Sequence, residues 1–215
     1  MTDALKLARK IAPEGDIVAE CLRRMADAKF YLNRPESALE HIEEGLDVAR
    51  KCGEYYDMGY FYRTRGLCHS RLGEADQAVK DLEKSIETFD RYGNSFEKAA
   101  SLRVLGRLLA RNGGEERLIK AKNTMSDSVV EFGKLEEGRE QILSYAILAT
   151  IDMRLGNMDD ALLSVYEAHR LVEEEHDPKF RKALLALRNK IEKRMSRATT
   201  NVIDQFSVLG DIQSG

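Results

Sequence analysis

The chain has 215 residues, 43% of them apolar and 33% charged, which is typical of a folded, soluble protein and excludes general disorder. Its formal net charge of −3 excludes bulk attraction to nucleic acid or to acidic membranes, while local basic patches stay open. No apolar run approaches the roughly 20 residues of a membrane span, the N-terminus lacks a signal-peptide core, and three cysteines outside any paired motif predict a reducing, cytoplasmic location.

Helices recur along the chain in pairs. The predicted turn residues are 40, 40 and 43 positions apart, at Asn33, Gly73, Gly113 and Gly156. Seven positions before each turn stands a small residue: Ala26, Gly66, Gly106 or Ala149. The second helix of each pair carries another small residue at Gly45, Ser85, Ser128 or Ala168. Because these spacings keep the side chains on one helix face, they predict four helix–turn–helix units at 16–53, 54–93, 94–136 and 137–177.

Further segments flank the four units. Residues 1–15 are predicted to be the second helix of a partial upstream repeat. The third unit has three extra residues, which we assign to its turn at 113–116, because an ungapped register would bury Lys122. Residues 178–198 are predicted to be a helix that caps the last repeat, with a coiled-coil partner or a signalling linker as the alternatives. Residues 199–215 are predicted to be a tail or linker.

Stacked helix pairs of this kind form an all-α fold, the α-α superhelix or α-solenoid. The repeat resembles the tetratricopeptide repeat (TPR) signature at Gly66, Leu72-Gly73, Ala78 and Ser85, and again at Tyr145, Leu148-Ala149, Leu155-Gly156, Ala161 and Ala168. The resemblance covers roughly residues 16–177, and the period near 40 is similar to the long-helix variety of kinesin light chains, cell-polarity adaptors and regulatory segments of bacterial transcription regulators. The sequence departs from the family where Arg65 replaces an aliphatic residue. It also departs at the family's second aromatic position, which holds Lys29, His69, Leu109 and Asp152.

No pattern for catalysis or cofactor binding is found. Gly113-Gly114 lacks the rest of a phosphate-binding loop, and the four histidines lack metal-ligand spacing. Cys68 and His69 are adjacent, but neighbouring helical residues point about 100° apart and cannot share a proton productively. We predict that Cys68 is a small apolar filler, that His69 is a packing residue, and that the protein is not an enzyme and has no cofactor or metal.

Arginines recur at equivalent positions of the first helix of each unit. The first column is Arg23, Arg63, Arg103 and Ala146, the second is Asp27, Leu67, Arg107 and Thr150, and the third is Tyr31, Arg71, Arg111 and Arg154. The TPR resemblance implies that these positions line a concave groove. Since the planar arginine side chain grips carboxylates in pairs, we predict that this groove binds an acidic peptide or a C-terminal carboxylate of a partner protein. The alternative is a solvated face whose arginines pair with local acids.

The predicted last helix is also basic. Between residues 179 and 198 the sequence has eight Lys or Arg residues and one acidic residue, Glu192. This face is either a solvated cap or a contact for an acidic partner, and no aromatic or DNA-binding motif favours nucleic acid. The heptad-like spacing of its apolar residues makes residues 178–198 a candidate for homo-oligomerisation.

Two functions follow from the sequence. The first is a protein-interaction scaffold with an arginine-lined groove. The alternative is a regulatory or sensor segment of a larger signalling protein, such as a bacterial transcription regulator or kinase. No membrane association is expected.

Overall fold

The computed structural model describes residues 2–13, 15–111 and 114–212, and in these ranges it contains ten α-helices and no strand. The helices are α1 (Thr2–Ile11), α2 (Asp16–Tyr31), α3 (Pro35–Cys52), α4 (Met58–Leu72), α5 (Ala75–Arg91), α6 (Ser95–Arg111), α7 (Glu115–Lys134), α8 (Gly138–Leu155), α9 (Met158–Glu175) and α10 (Pro178–Ile212). The predicted all-α fold of the α-solenoid class is therefore confirmed.

The chain divides into two compact units, each larger than one predicted repeat. The first unit, as the term is used from here on, contains α1–α6, and the second unit contains α7–α10. Within each unit, helices that follow each other in the sequence pack against each other. The division falls inside the predicted repeat 94–136, between α6 and α7. The predicted repeat limits stay predictions.

Local signals explain several helix ends. Gly53, Gly73 and Gly156 end α3, α4 and α8 with left-handed φ values of 81°, 85° and 85°, which glycine adopts at least cost. The Asp177 carboxylate accepts hydrogen bonds from the amides of Lys179 and Phe180, at 2.9 and 3.3 Å, and so caps the start of α10. Gly113, the predicted third turn residue, lies outside the described residues.

The small residues of the second helices are buried, and each belongs to a junction with the helix that follows. In the first unit Gly45 contacts Phe61, and the Ser85 hydroxyl lies 2.9 Å from the Ser101 hydroxyl. In the second unit the hydroxyls of Ser128 and Ser144 are 3.1 Å apart, and Ala168 and Leu184 share one core cluster. The partner always lies 16 positions later in the sequence, so one register is repeated at four junctions.

The register of α7 agrees with an insertion before it. Ala121, Met125, Ser128 and Phe132 are buried, whereas Lys122 is partly exposed. The insertion does not form a turn as far as residue 116, because Glu115 already begins α7. Acidic side chains are favourable in the first turn of a helix, which explains why Glu115 and Glu116 join it.

The last helix is longer than predicted. Leu184 and Ile191 are buried, and α10 packs along α9 and contacts α8. The helix continues to Ile212, so residues 199–212 belong to it, and the assignment of 199–215 as a tail or linker stays a prediction. No proline interrupts this stretch, and residues 213–215 lie outside the described residues. No helix in the described ranges is apolar over the length that a bilayer crossing needs.

Candidate functional site

A concave pocket of about 350 Å³ lies between α2 and α4 in the first unit. Five of the predicted groove residues line it: Arg23, Asp27, Tyr31, Arg63 and Leu67. Its other lining residues are Arg24, Phe30, Tyr60, Thr64 and Glu97, the last from α6. The sequence columns therefore predicted residues that converge on one concave surface of this unit.

Acidic side chains of the same chain form ion pairs with the pocket arginines. Arg23 donates two hydrogen bonds of 2.8 Å to the Glu20 carboxylate, and its guanidinium lies 4.6 Å from the centre of the Tyr60 ring. Its side chain is only 12% exposed. Arg63 forms an ion pair with Glu97. The charges of Arg23 and Arg63 are thus compensated within the protein, as the alternative of a face whose arginines pair with local acids predicts.

A hydrogen-bonded network fixes the floor of the pocket. The Tyr60 hydroxyl donates to Glu97 at 3.2 Å and lies 3.0 Å from the Tyr56 hydroxyl. The Thr64 hydroxyl donates to Asp27 at 2.7 Å. Burial, the Tyr56 hydrogen bond and the Glu97 charge raise the pKa of Tyr60 well above its usual value. Tyr31, by contrast, is 80% exposed at the pocket edge, so its ring is available for contact with a ligand.

Arg71, predicted to contact a ligand, has a structural role. Its guanidinium donates a 2.7 Å hydrogen bond to the carbonyl of Phe30, in the last turn of α2, and lies 4.1 Å from the centre of the Phe30 ring. Arg194 of α10 donates in the same way to the carbonyl of Met153 in α8, at 3.2 Å. Both bonds join residues 41 apart and reach a carbonyl in the last turn of a helix, and the Phe30 carbonyl also accepts the Asn33 amide at 3.0 Å. Arg194 continues the third column 40 residues after Arg154, and that spacing was the signal that could have revealed it.

Two of the predicted groove arginines on α6 are exposed. Arg107 and Arg111 are exposed, Arg103 is partly buried, and among the described residues no ion pair or hydrogen bond to Arg107 or Arg111 is found. Glu97, Arg107 and Arg111 fall within about 80° around the helix axis, since each residue turns by about 100°. The two arginines therefore share the side of α6 that contributes Glu97 to the pocket.

Thr150 and Arg154 belong to the second unit. Thr150 is exposed and donates to the carbonyl of Ala146 at 3.0 Å, which satisfies its hydroxyl within α8. Arg154 is exposed.

Two of the positions that depart from the TPR pattern, Arg65 and Asp152, hold largely buried ion pairs. Arg65 donates bonds of 2.9 and 2.7 Å to Asp81 and one of 2.7 Å to Glu43. Asp152 is 1% exposed and lies 2.7 Å from the Lys122 ammonium group. These pairs compensate charges that would otherwise be buried alone, so they are structural.

The chemistry-bearing residues of α4 also have packing roles. Cys68 is fully buried, and burial raises the pKa of its thiol to about 12, so no reactive thiolate forms near neutral pH. The His69 imidazole contacts Glu74 through Nδ1 and lies 3.6 Å from Asp81 through Nε2. Within the ranges that the structure describes, no group of three or more His, Cys, Asp or Glu side chains is placed to hold a metal ion.

Comparison with known proteins gives a structural likeness. No protein-family model matches the sequence, and no curated protein matches it. The solved structure of BtubC (BKLC) from P. vanneervenii matches with a TM-score of 0.67 and 14% identity, over 91% of this chain and 89% of that one. At this identity the likeness shows the fold alone. It supports a helical repeat fold of the TPR and kinesin-light-chain kind at the level of structure.

Proposed function

We propose that the protein is a non-enzymatic interaction scaffold whose α2–α4–α6 face binds an acidic or C-terminal peptide segment of a partner protein. The observation that carries the proposal is the pair of exposed arginines, Arg107 and Arg111, on the side of α6 that contributes Glu97 to a pocket whose own arginines are already paired with acidic side chains. A ligand carboxylate gains most from the arginines that lack an internal partner.

The pocket supplies the second part of the interaction. Tyr31 and the partly buried Leu67 present aromatic and aliphatic surface next to polar groups held in place by the Tyr60–Glu97 network. A rigid wall loses little conformational freedom when a ligand binds. A peptide that combines an acidic residue or terminal carboxylate with an apolar side chain therefore fits this surface best.

A peptide array tests the proposal. Its peptides vary in Asp and Glu content, and each is presented with a free and with an amidated C-terminus. We expect the protein to retain acidic peptides, and the double variant Arg107→Glu/Arg111→Glu to bind them at least about tenfold more weakly, or about 1.4 kcal/mol.

The matched control is Lys10→Glu/Lys80→Glu, which makes the same change in net charge at two exposed lysines of α1 and α5. It should bind like the unmodified protein, and both variants should keep the same helical circular dichroism. Retention of acidic peptides by Arg107→Glu/Arg111→Glu at full strength, or no acidic preference in the unmodified protein, would refute the proposal.

A regulatory segment of a larger signalling protein is the second candidate, and the length of α10 favours it. This helix packs on α9 through Leu184 and continues as one element to Ile212, and a continuous helix can transmit a displacement along its axis. If so, peptide binding to the first unit should alter hydrogen exchange in α10. Unchanged exchange at saturating peptide would argue against this candidate.

A further inference from the structure

The outward face of α10 is a straight basic stripe. Lys179, Lys182, Lys190, Lys193 and Arg197 are all exposed and fall within an arc of about 80°, over a length of about 27 Å. In the described residues no ion pair to any of the five is found. The stripe lies on the side of α10 away from Leu184 and Ile191, which are buried.

The other cations of α10 are already engaged. Arg181 pairs with Glu173, Arg188 pairs with Glu192, and Arg194 donates to the carbonyl of Met153. Glu192 is the one acidic residue between 178 and 197, and it lies outside the stripe. A cap needs a polar outer face, but that need does not explain a face with charge of a single sign.

The geometry disfavours a membrane or nucleic acid as the ligand. An amphipathic helix binds a membrane by inserting its apolar face, whereas the apolar face of α10 is covered by α8 and α9. A helix in a nucleic-acid groove meets phosphates on both flanks, whereas this stripe covers one narrow arc. No aromatic side chain stands in the stripe to stack on bases.

The spacing of the stripe matches a helix as the partner. Lys179, Lys182, Ala186, Lys190, Lys193 and Arg197 follow steps of 3, 4, 4, 3 and 4 residues, the spacing along which two helices pack side by side. Ala186 is exposed, and its small side chain allows close approach. A complementary helix would carry acidic residues at the same steps.

The chain itself contains such a helix. Glu36, Glu40, Glu43 and Asp47 on α3 follow steps of 4, 3 and 4, are all exposed, and fall within an arc of about 60°. Glu43 accepts a bond from Arg65, and Asp47 pairs with Arg50 and Lys51. Among the described residues no ion pair to Glu36 or Glu40 is found.

We infer that α10 of one protomer binds α3 of a second protomer, through the basic stripe on the first and the acidic stripe on the second. Steps of 4, 3 and 4 read the same in both directions, so the positions of Ala186, Lys190, Lys193 and Arg197 have the spacing of the four acids in a parallel or an antiparallel arrangement, and the three cations lie opposite three of the acids. Because the two surfaces differ, the contact is heterologous, and a dimer formed through one such contact keeps one free stripe of each sign. Exposed ion pairs are weak and screened by salt, so the association is salt-sensitive. This inference is independent of the peptide-binding proposal.

Sedimentation velocity tests the inference with the full chain. As ionic strength falls from about 1 M to about 0.1 M, the Debye length rises from about 3 to about 10 Å. We therefore expect the weight-average mass to rise above that of one chain at low salt, increasingly with protein concentration. A chain that stays monomeric at low salt overturns the inference.

Charge reversal identifies the surfaces. Lys190→Glu/Lys193→Glu and, separately, Glu36→Lys/Glu40→Lys should each abolish the rise in mass, whereas Lys10→Glu/Lys80→Glu should leave it. An equimolar mixture of the two charge-reversed variants should associate, because the α10 variant keeps the native acidic stripe on α3 and the α3 variant keeps the native basic stripe on α10. The mixture should therefore have a weight-average mass above that of one chain under conditions in which each variant alone is monomeric.

The remaining outcomes overturn the inference. They are loss of association in the α10 variant but not in the α3 variant, a mixture that stays monomeric, and a monomeric protein whose basic stripe instead binds a single-stranded oligonucleotide. Circular dichroism of each variant verifies its fold, and none of the four substituted residues takes part in an ion pair within the described residues.

Discussion

Replacing Gly45 with alanine should destabilise the first unit, although alanine is the better helix former. Gly45 lies inside α3, where glycine costs about 1 kcal/mol relative to alanine. A Cβ at this position would lie 2.2 Å from Cζ and 2.3 Å from Cε1 of Phe61, whereas carbon atoms pack at about 3.5–4.0 Å. Phe61 is 1% exposed, so its ring has no open space into which it can move.

The two effects have opposite signs, and the steric one is larger. Overpacking of a core costs about 1–3 kcal/mol, and a contact this short places Gly45→Ala at the upper end. Subtracting the gain in helix propensity leaves a net loss of about 2 kcal/mol in the free energy of unfolding. For a chain of this length the melting temperature should fall by about 4–8 °C.

A double-mutant cycle isolates the contact. Phe61→Ala costs about 3–5 kcal/mol by itself, but it removes the ring, so Gly45→Ala in that background should stabilise by about 1 kcal/mol. The resulting coupling of about 3 kcal/mol is typical of residues in direct contact. Urea unfolding followed by circular dichroism measures it, with m values compared to verify that all variants unfold in the same way.

Gly133→Ala provides the matched control. Its Cβ would meet the Gln141 amide nitrogen at 2.6 Å, the end of a flexible side chain that can move away at the cost of its hydrogen bond to the Val129 carbonyl. We therefore expect a smaller effect than at Gly45. If Gly45→Ala is as stable as the unmodified protein, or if its effect adds to that of Phe61→Ala, the steric reasoning is refuted.

Two further predictions concern buried charge. Asp81→Asn leaves the largely buried guanidinium of Arg65 without the carboxylate to which it donates two hydrogen bonds. The free energy of unfolding, measured in urea, should fall by about 3 kcal/mol, and the double variant Arg65→Met/Asp81→Leu should recover part of the loss. A loss of only a few tenths of a kcal/mol would contradict a structural role for this pair. His169 lies on α9, and its buried Nε2 has no hydrogen-bond partner in the described part of the chain. Burial and the nearby Arg188 charge lower the pKa of His169 below its usual 6.5. The Arg181 charge acts in the same direction and the Glu173 charge in the opposite one. As the pH falls, His169 is therefore protonated in the unfolded chain before it is protonated in the folded chain. Its contribution to the free energy of unfolding is complete above pH 6.5 and is lost as the pH falls below that value. His169→Gln should flatten the pH dependence of the free energy of unfolding, measured in urea, in that range, and an unchanged slope would count against the prediction.

The repeat itself follows from the sequence. A helix returns each side chain to the same face after steps of three, four, seven and eleven residues, so the spacing of small and apolar residues shows which face is buried. Gly45, Ser85, Ser128 and Ala168 were recognised as buried in this way. The end of α10 lies beyond the predicted helix 178–198, although Val202, Phe206 and Leu209 follow the steps of four and three residues that mark a helix face.

What fills the space beside those small residues was decided by tertiary structure. Phe61 and Ser101 occupy equivalent positions of the following helices. The Phe61 ring fills the space beside Gly45, whereas the Ser101 hydroxyl forms a hydrogen bond with the hydroxyl of Ser85. The same holds for the charges, since the arginine columns are visible in the sequence but their partners are not. Glu97 neutralises Arg63 across 34 residues, while Arg107 and Arg111 stay exposed. Helical periodicity is local and can be read from one segment, whereas the neighbour of a side chain depends on how two helices approach each other, and the spacing within one helix does not specify that approach.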